Sequence, residues 1–218
     1  VGHPLLDEIG QESDSAALRE NCGLRADLPL LAIAPGSRPS EMRKHLPTML
    51  EALPEIEKKI GEFQCILPVA ESLDFDEVRR KASSSSVYVA VVPEQFLESV
   101  RASDAAVIAS GTASLQTGLA LKPFVIVYRV SPLTYMIARL LAETKYIGMV
   151  NVLADKEIVP ELLQNEFTIS SITDHAVRLL QDHDYRGTMI SELKKIGLKL
   201  GEPGAYRRAA KCIEDFIN

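Results

Sequence analysis

"LLAIAPGSRPSEMRKHLP", residues 30–47, decides the fold. An apolar run stops at Pro35 and Gly36, offers Ser37 and Arg38, and restarts as a polar segment with helical spacing. A strand that delivers a glycine and an arginine into the turn before a helix points to an anion at that turn. Gly36 lets the chain turn sharply and brings backbone N–H groups close to a ligand. The helix start adds a positive dipole end, and Arg38 adds a fork of donors suited to phosphate oxygens. The plain alternative is an ordinary turn with a solvated arginine.

Four further runs resemble the first: "FQCILPV" (63–69), "VYVAVV" (87–92), "AAVIAS" (105–110) and "PFVIVY" (123–128). Each is nearly continuous in apolar residues, as expected of strands covered on both faces. Between them the spacing predicts helices near 39–60, 74–82, 95–103 and 112–121. Such alternation gives right-handed crossovers and a doubly wound, Rossmann-like parallel α/β sheet. Ligands in that architecture bind at the carboxyl ends of the strands, which directs attention to the turns after 35, 69, 92, 110 and 128. After the fifth strand a helix is predicted over 132–142, an irregular loop over 143–157 and a helix over 157–165. Further helices follow near 171–182, 186–200 and 204–217. The expected division is a nucleotide-sugar-binding domain over 1–182 and carboxyl-terminal helices over 183–218, whose apolar stripes must bury against something.

The bulk numbers bound the function. The 218 residues carry 24 Lys and Arg against 30 Asp and Glu, a net charge of −6, which argues against nucleic-acid binding. No apolar run reaches the roughly 18 residues a membrane span needs. Cys22, Cys65 and Cys212 form no close pair, and Cys65 and Cys212 read as small buried apolar residues in a cytoplasmic protein. No charged start followed by an apolar core suggests a signal peptide, and a first residue of Val1 rather than Met suggests a piece of something longer. The four histidines have no metal-ligand spacing; His45 and His175 read as surface or half-buried. No acidic metal-binding pair is visible, so neither a metal nor another cofactor is expected.

A second turn repeats the logic of the first. In "ASGTASLQTGLALK" (109–122) the fourth strand ends at Ser110, Gly111 turns, and Thr112 opens a helix, with Ala113 in its first turn. Ser110 and Thr112 can cap that helix, or their hydroxyls and the free N–H groups can hold an anion. Gln116, four residues on, shares a helix face with Thr112 and could reach a sugar hydroxyl. Two such turns can converge on one diphosphate. Arg129 ends the fifth strand, and Asn151, Lys156 and Glu157 stand in the later loop, where function is often carried.

Together "VGHPLLD" (1–7), "APGSRPSE" (34–41), "SDAAVIASGTASLQTGL" (103–119), "PFVIVYR" (123–129) and "NVLADKEIVPELLQ" (151–164) resemble the lipid-A-disaccharide synthase family. The likeness covers residues 1 to about 165 and is looser in the last helices. It implies the carboxyl-terminal, donor-binding half of a GT-B glycosyltransferase, a fold of paired Rossmann-like units. The implied reaction joins UDP-2,3-diacylglucosamine to 2,3-diacylglucosamine 1-phosphate in a β-1,6 linkage, with inversion and release of UDP. Carried over, Gly36, Ser37, Arg38 and Ser110 to Ala113 face the diphosphate, with Gln116, Arg129, Asn151 and Glu157 completing the donor site. The catalytic base, and most acyl-chain and membrane contacts, are expected in an absent amino-terminal domain. The isolated half is then inactive, and the enzyme sits peripherally at the cytoplasmic face of the inner membrane. The last helices are expected to pack on that domain or on a second copy.

Three departures from the family stand out. Gln116 replaces a common Glu, Val150 precedes Asn151 where Pro is common, and Asp155-Lys156-Glu157 replaces Gly-Arg-Glu. The last swaps a forked donor for a point charge. Two alternatives stay open: another UDP-GlcNAc-type transferase or epimerase of the same architecture, or a non-catalytic nucleotide-sugar-binding module.

Overall fold

A computed structural model describes residues 2–10, 15–131, 135 and 144–217. The five predicted strands are present as β1 (Leu30–Ala34), β2 (Gln64–Val69), β3 (Val89–Pro93), β4 (Ala105–Ala109) and β5 (Phe124–Tyr128). A sixth, β6 (Glu161–Leu163), completes a parallel sheet of order β3-β2-β1-β4-β5-β6. Every residue of β1, β2 and β4 is buried, which is why their sequences lack polar alternation. Edge strand β3 alternates between buried and half-exposed positions, because only one of its faces is well covered.

The connecting helices are α3 (Pro39–Ile60), α4 (Phe75–Ala82), α5 (Phe96–Ala102) and α6 (Thr112–Leu119). Two short helices, α1 (Leu5–Ile9) and α2 (Ser15–Asn21), precede β1. Beyond β5 come α7 (Met149–Ala154), a 3-10 turn (Gln164–Glu166), α8 (Ile169–Gln181), α9 (His183–Lys199) and α10 (Ala205–Ile217). Helices α3 and α8 pack together on one face, against β4; α5 and α6 lie on the strands with α2 and α9 outside them. The helix read over 132–142 falls largely outside the described residues.

The region after β5 departs from the sequence reading. The predicted loop 143–157 contains α7, and the predicted helix 157–165 is instead β6 and the 3-10 turn. The open edge of β5 explains the second difference: Ile126 N–H donates to Pro160 O at 2.9 Å, and Val127 pairs with Leu162. A short segment such as Glu161-Leu162-Leu163 is compatible with either state, and the unpaired backbone groups of a neighbouring strand choose extension.

In α9, Met189, Leu193 and Ile196 are buried, and the helix packs on α6, α7 and α8. In α10 only Ala205 is buried, while Ile213, Phe216 and Ile217 are exposed. Cys65 is buried as expected, but Cys212 lies on the open face of α10 and is exposed. Asp7 ties this last helix to the start of the chain by accepting the N–H groups of Gly204 and Tyr206. Those bonds hold its carboxyl below the ordinary aspartate range. No helix among the described residues is long and apolar enough to cross a membrane.

Candidate functional site

Strand order reverses between β1 and β4, the parallel central pair from which the chain winds to opposite edges of the sheet. At such a switch point the turns at the carboxyl ends diverge and leave a crevice. Here those turns are Pro35–Arg38 and Ser110–Thr112. Between them opens a cavity of about 600 Å³, lined by Gly36, Ser37 and Arg38 on one side and Ser110, Gly111, Thr112, Ala113 and Gln116 on the other. Eight of the eleven residues singled out in the sequence as donor-binding therefore meet in one place.

The two turns have different chemistry. Gly36 has φ +117°, and a Cβ there would stand 2.3 Å from Glu41 Oε2. Glu41 fills that space because its carboxylate folds back on the turn. It accepts the N–H groups of Ser37 at 3.2 Å and Arg38 at 3.3 Å, and pairs with Arg38 Nη1 at 3.2 Å. The start of α3 is thus already capped from within. Arg38 itself is 74% exposed at its side chain.

The start of α6 is not capped. Gly111 has φ +152° with nothing within 4 Å of a notional Cβ, and no side chain bonds the helix start. Ser110 Oγ donates instead to Ile147 O at 3.3 Å, and Ser114 Oγ to Gly111 O at 2.7 Å. The first N–H groups of a helix have no partners within it, so α6 presents open donors and its positive dipole end to the cavity. Arg38 is the single basic residue among the described lining residues, against Glu8, Glu41, Glu94 and Glu98. Negative charge is therefore accommodated at Arg38 and the α6 terminus. The rest of the cavity suits neutral, hydroxyl-rich groups.

Arg129, Asn151 and Glu157 do not line this cavity. The Arg129 guanidinium donates to Gln164 O and Phe167 O and lies 4.7 Å over the Phe167 ring, bracing β5 against the 3-10 turn. Asn151 is fully buried with its amide spent. Nδ2 donates to Val159 O at 2.7 Å and Glu161 Oε1 at 2.8 Å, and Oδ1 accepts from Ile158 N–H and Val159 N–H at 2.9 and 3.0 Å. The same Glu161 carboxylate accepts the N–H groups of Ile147 and Gly148, so Asn151 supports the segment on which Ser110 leans. Glu157 is exposed and borders a separate, smaller cavity with Lys156 and Glu192.

Two residues were overlooked. Glu41 stands three positions after Arg38, the spacing of a capping box, and that spacing was the available signal. The sequence reading places His45 at the surface or half-buried, yet it is fully buried. Its position between Met42, Leu46 and Met49 on the buried stripe of α3 was the signal. Its Nδ1 meets Pro35 O at 2.7 Å and its Nε2 accepts Arg129 N–H at 3.0 Å, tying the end of β1 to the end of β5. With Nε2 accepting, Nδ1 carries the proton. Burial pushes the ring's pKa down, and the bond to Pro35 opposes this only in part.

The family model for lipid-A-disaccharide synthetase matches residues 1–215, which includes the last helices. The chain belongs to that family. It is 38% identical over 217 residues to the lipid-A-disaccharide synthase of Myxococcus xanthus, covering 100% of this chain and 57% of that protein. Against the enzyme of the same name from Anaeromyxobacter dehalogenans strain 2CP-1, identity is 39% over 97% of this chain and 55% of that protein. This member of the lipid-A-disaccharide synthetase family therefore spans somewhat more than half the length of those relatives. Among solved structures, WaaG, a glycosyltransferase involved in lipopolysaccharide biosynthesis, superposes with TM-score 0.62 at 15% identity over 97% of this chain and 54% of that one. The UDP co-structure of Staphylococcus aureus MnaA superposes with TM-score 0.63 at 12% identity over 100% and 52%. These likenesses establish the fold, one Rossmann-like half of the GT-B architecture.

Proposed function

We propose that the chain is the donor-binding half of a lipid A glycosyltransferase. The enzyme transfers 2,3-diacylglucosamine from UDP to 2,3-diacylglucosamine 1-phosphate, forming the β-1,6 disaccharide. The acceptor hydroxyl attacks the anomeric carbon, the bond from that carbon to the β-phosphate oxygen breaks, and UDP leaves with the electron pair. The hydroxyl proton goes to a base in the amino-terminal half, which lies outside this chain. The observation that carries this reading is the family match over residues 1–215 with the cavity set at the reversal of strand order.

In this reading the diphosphate sits between Arg38 and the open start of α6. Fixed dipoles and a guanidinium stabilise the charge that builds on the β-phosphate as the glycosidic bond breaks, with no reorganisation at that moment. Gln116 faces the sugar side. Arg129 and Asn151 act by holding the walls, not by touching the donor. The exposed apolar residues of α10 are covered in the full-length enzyme by its other half or by a second copy, and the enzyme works at the cytoplasmic membrane surface.

The test is UDP release by the full-length enzyme supplied with the diacyl donor and acceptor. Arg38→Ala is expected to weaken UDP binding by more than about 1.5 kcal/mol, the lower end for hydrogen bonds to charged groups. Equal UDP affinity in the variant removes Arg38 from the site. A preference for UDP-GlcNAc over its diacyl form assigns the chain to a different transferase or epimerase.

A further inference from the structure

We propose that Glu41 is a positioning residue for the diphosphate site, acting through Arg38; the inference rests on the donor-site reading above. A glycine turn followed by an arginine at a helix start invites the view that the turn's own N–H groups hold the phosphate. The geometry assigns those donors elsewhere. The N–H groups of Ser37 and Arg38 converge on one oxygen of Glu41, and the other oxygen takes Arg38 Nη1. The carboxylate is 14% exposed, whereas the guanidinium it holds is 74% exposed. One member of the pair is therefore packed into the turn and the other projects from it.

Gly36 belongs to the same device. Its missing Cβ leaves room for Glu41, whose Oε2 and Cβ would lie 2.3 and 2.7 Å from any side chain added there. Arginine has five N–H donors in a rigid fork, so one ion-paired contact leaves the rest for a ligand. The diphosphate is thus met by a pre-aimed guanidinium on one side and the uncapped α6 terminus on the other. Glu41 supplies the aim and lowers the entropic cost of ordering Arg38 on binding.

The experiment titrates UDP and uridine into the wild-type chain, Glu41→Ala, Glu41→Gln, Arg38→Ala and the Arg38→Ala/Glu41→Ala double variant, followed by NMR. Uridine lacks the diphosphate, so a change confined to folding moves both ligands alike. Glu41→Ala is expected to weaken UDP about tenfold, close to the lower end for charged hydrogen bonds, and uridine less than about twofold. Glu41→Gln, whose amide oxygen still accepts both N–H groups but whose –NH2 stands against Arg38 Nη1, is expected to keep the turn yet lose UDP affinity almost as far as Glu41→Ala. In the Arg38→Ala background, removing Glu41 is expected to cost UDP nothing further, as required of residues acting as a unit. Unchanged or tighter UDP binding in Glu41→Ala overturns the proposal, the latter by showing that the carboxylate competes with phosphate. Parallel loss of uridine overturns it as well. A wild-type chain with no affinity for UDP refutes the donor-site reading itself and this inference with it, whereas normal UDP binding with indifferent Glu41 variants refutes the inference alone.

Discussion

Replacing His45 with leucine tests how the cavity is held open. The ring is fully buried and its two nitrogens bind Pro35 O and Arg129 N–H. Leucine fills much of the volume but serves neither partner. Each buried backbone group left unpaired costs about 1–3 kcal/mol, so the pair costs about 2–6. Loss of the ring contacts with Tyr128 and Phe167, at centroid distances of 5.8 and 5.5 Å, adds to this. A loss of about 4 kcal/mol in a domain of this size corresponds to roughly 8–16 °C in Tm.

The pH dependence gives a second readout of the same residue. Burial holds the folded pKa of His45 below the ordinary histidine value, against the opposing bonds to Pro35 and Arg129 and the nearby Glu41 carboxylate; the Arg129 charge lowers it further. As pH falls through about 6.5, the unfolded chain takes up a proton that the folded chain refuses, and stability drops. The stability contributed by neutral His45 is present above that pH and is lost progressively below it. Urea denaturation from pH 7.5 to 5 is expected to show a shallower slope in His45→Leu than in the wild type. A residual slope remains from His175, whose pKa is also pushed down by burial. An unchanged Tm together with an unchanged pH slope refutes the assignment of His45 as the tie between β1 and β5.

Gly36→Ala must adopt φ +117° and displace Glu41, so a stability loss of more than about 1 kcal/mol is expected in urea denaturation, with weaker UDP binding; a loss below half that contradicts the steric account. Asn151→Asp puts a carboxylate where an amide donates to Glu161 at 2.8 Å, so the variant is expected to be destabilised at pH 7 and to regain part of the loss near pH 5. A denaturation midpoint equal to wild type at pH 7 refutes the buried-knot reading. Because Arg38 and the α6 terminus supply fixed positive charge, UDP affinity measured by calorimetry is expected to survive EDTA; loss of binding on chelation shows that a metal is needed.

Much of the architecture is legible in the sequence because a buried parallel strand cannot hide. "LLAIA" and "AAVIA" are unbroken apolar runs, and in the fold every residue of both is buried. The two glycine turns at the cavity are legible for a related reason, since few residues other than glycine accept φ values such as +117° or +152°. Arg129 and Asn151 were less legible. A polar residue at a strand end or in a loop is equally compatible with gripping a ligand and with satisfying buried backbone groups. Only the partners found in the fold, Gln164 and Phe167 for Arg129 and Val159 and Glu161 for Asn151, distinguish the two.

By itself the sequence determined the alternation of strands and helices, the parallel sheet, the two glycine turns and the family. These follow from local periodicity, glycine conformation and ordered motifs, all of which are properties of short stretches. The tertiary structure alone decided that β1 and β4 are the strands between which the order reverses, so that their turns share one cavity. It also decided that "ELL" extends as β6, that Glu41 occupies the first turn, and that the α6 terminus stays open. Each of these depends on which backbone donors and acceptors find partners across the sheet, and that is settled only when the strands are laid side by side.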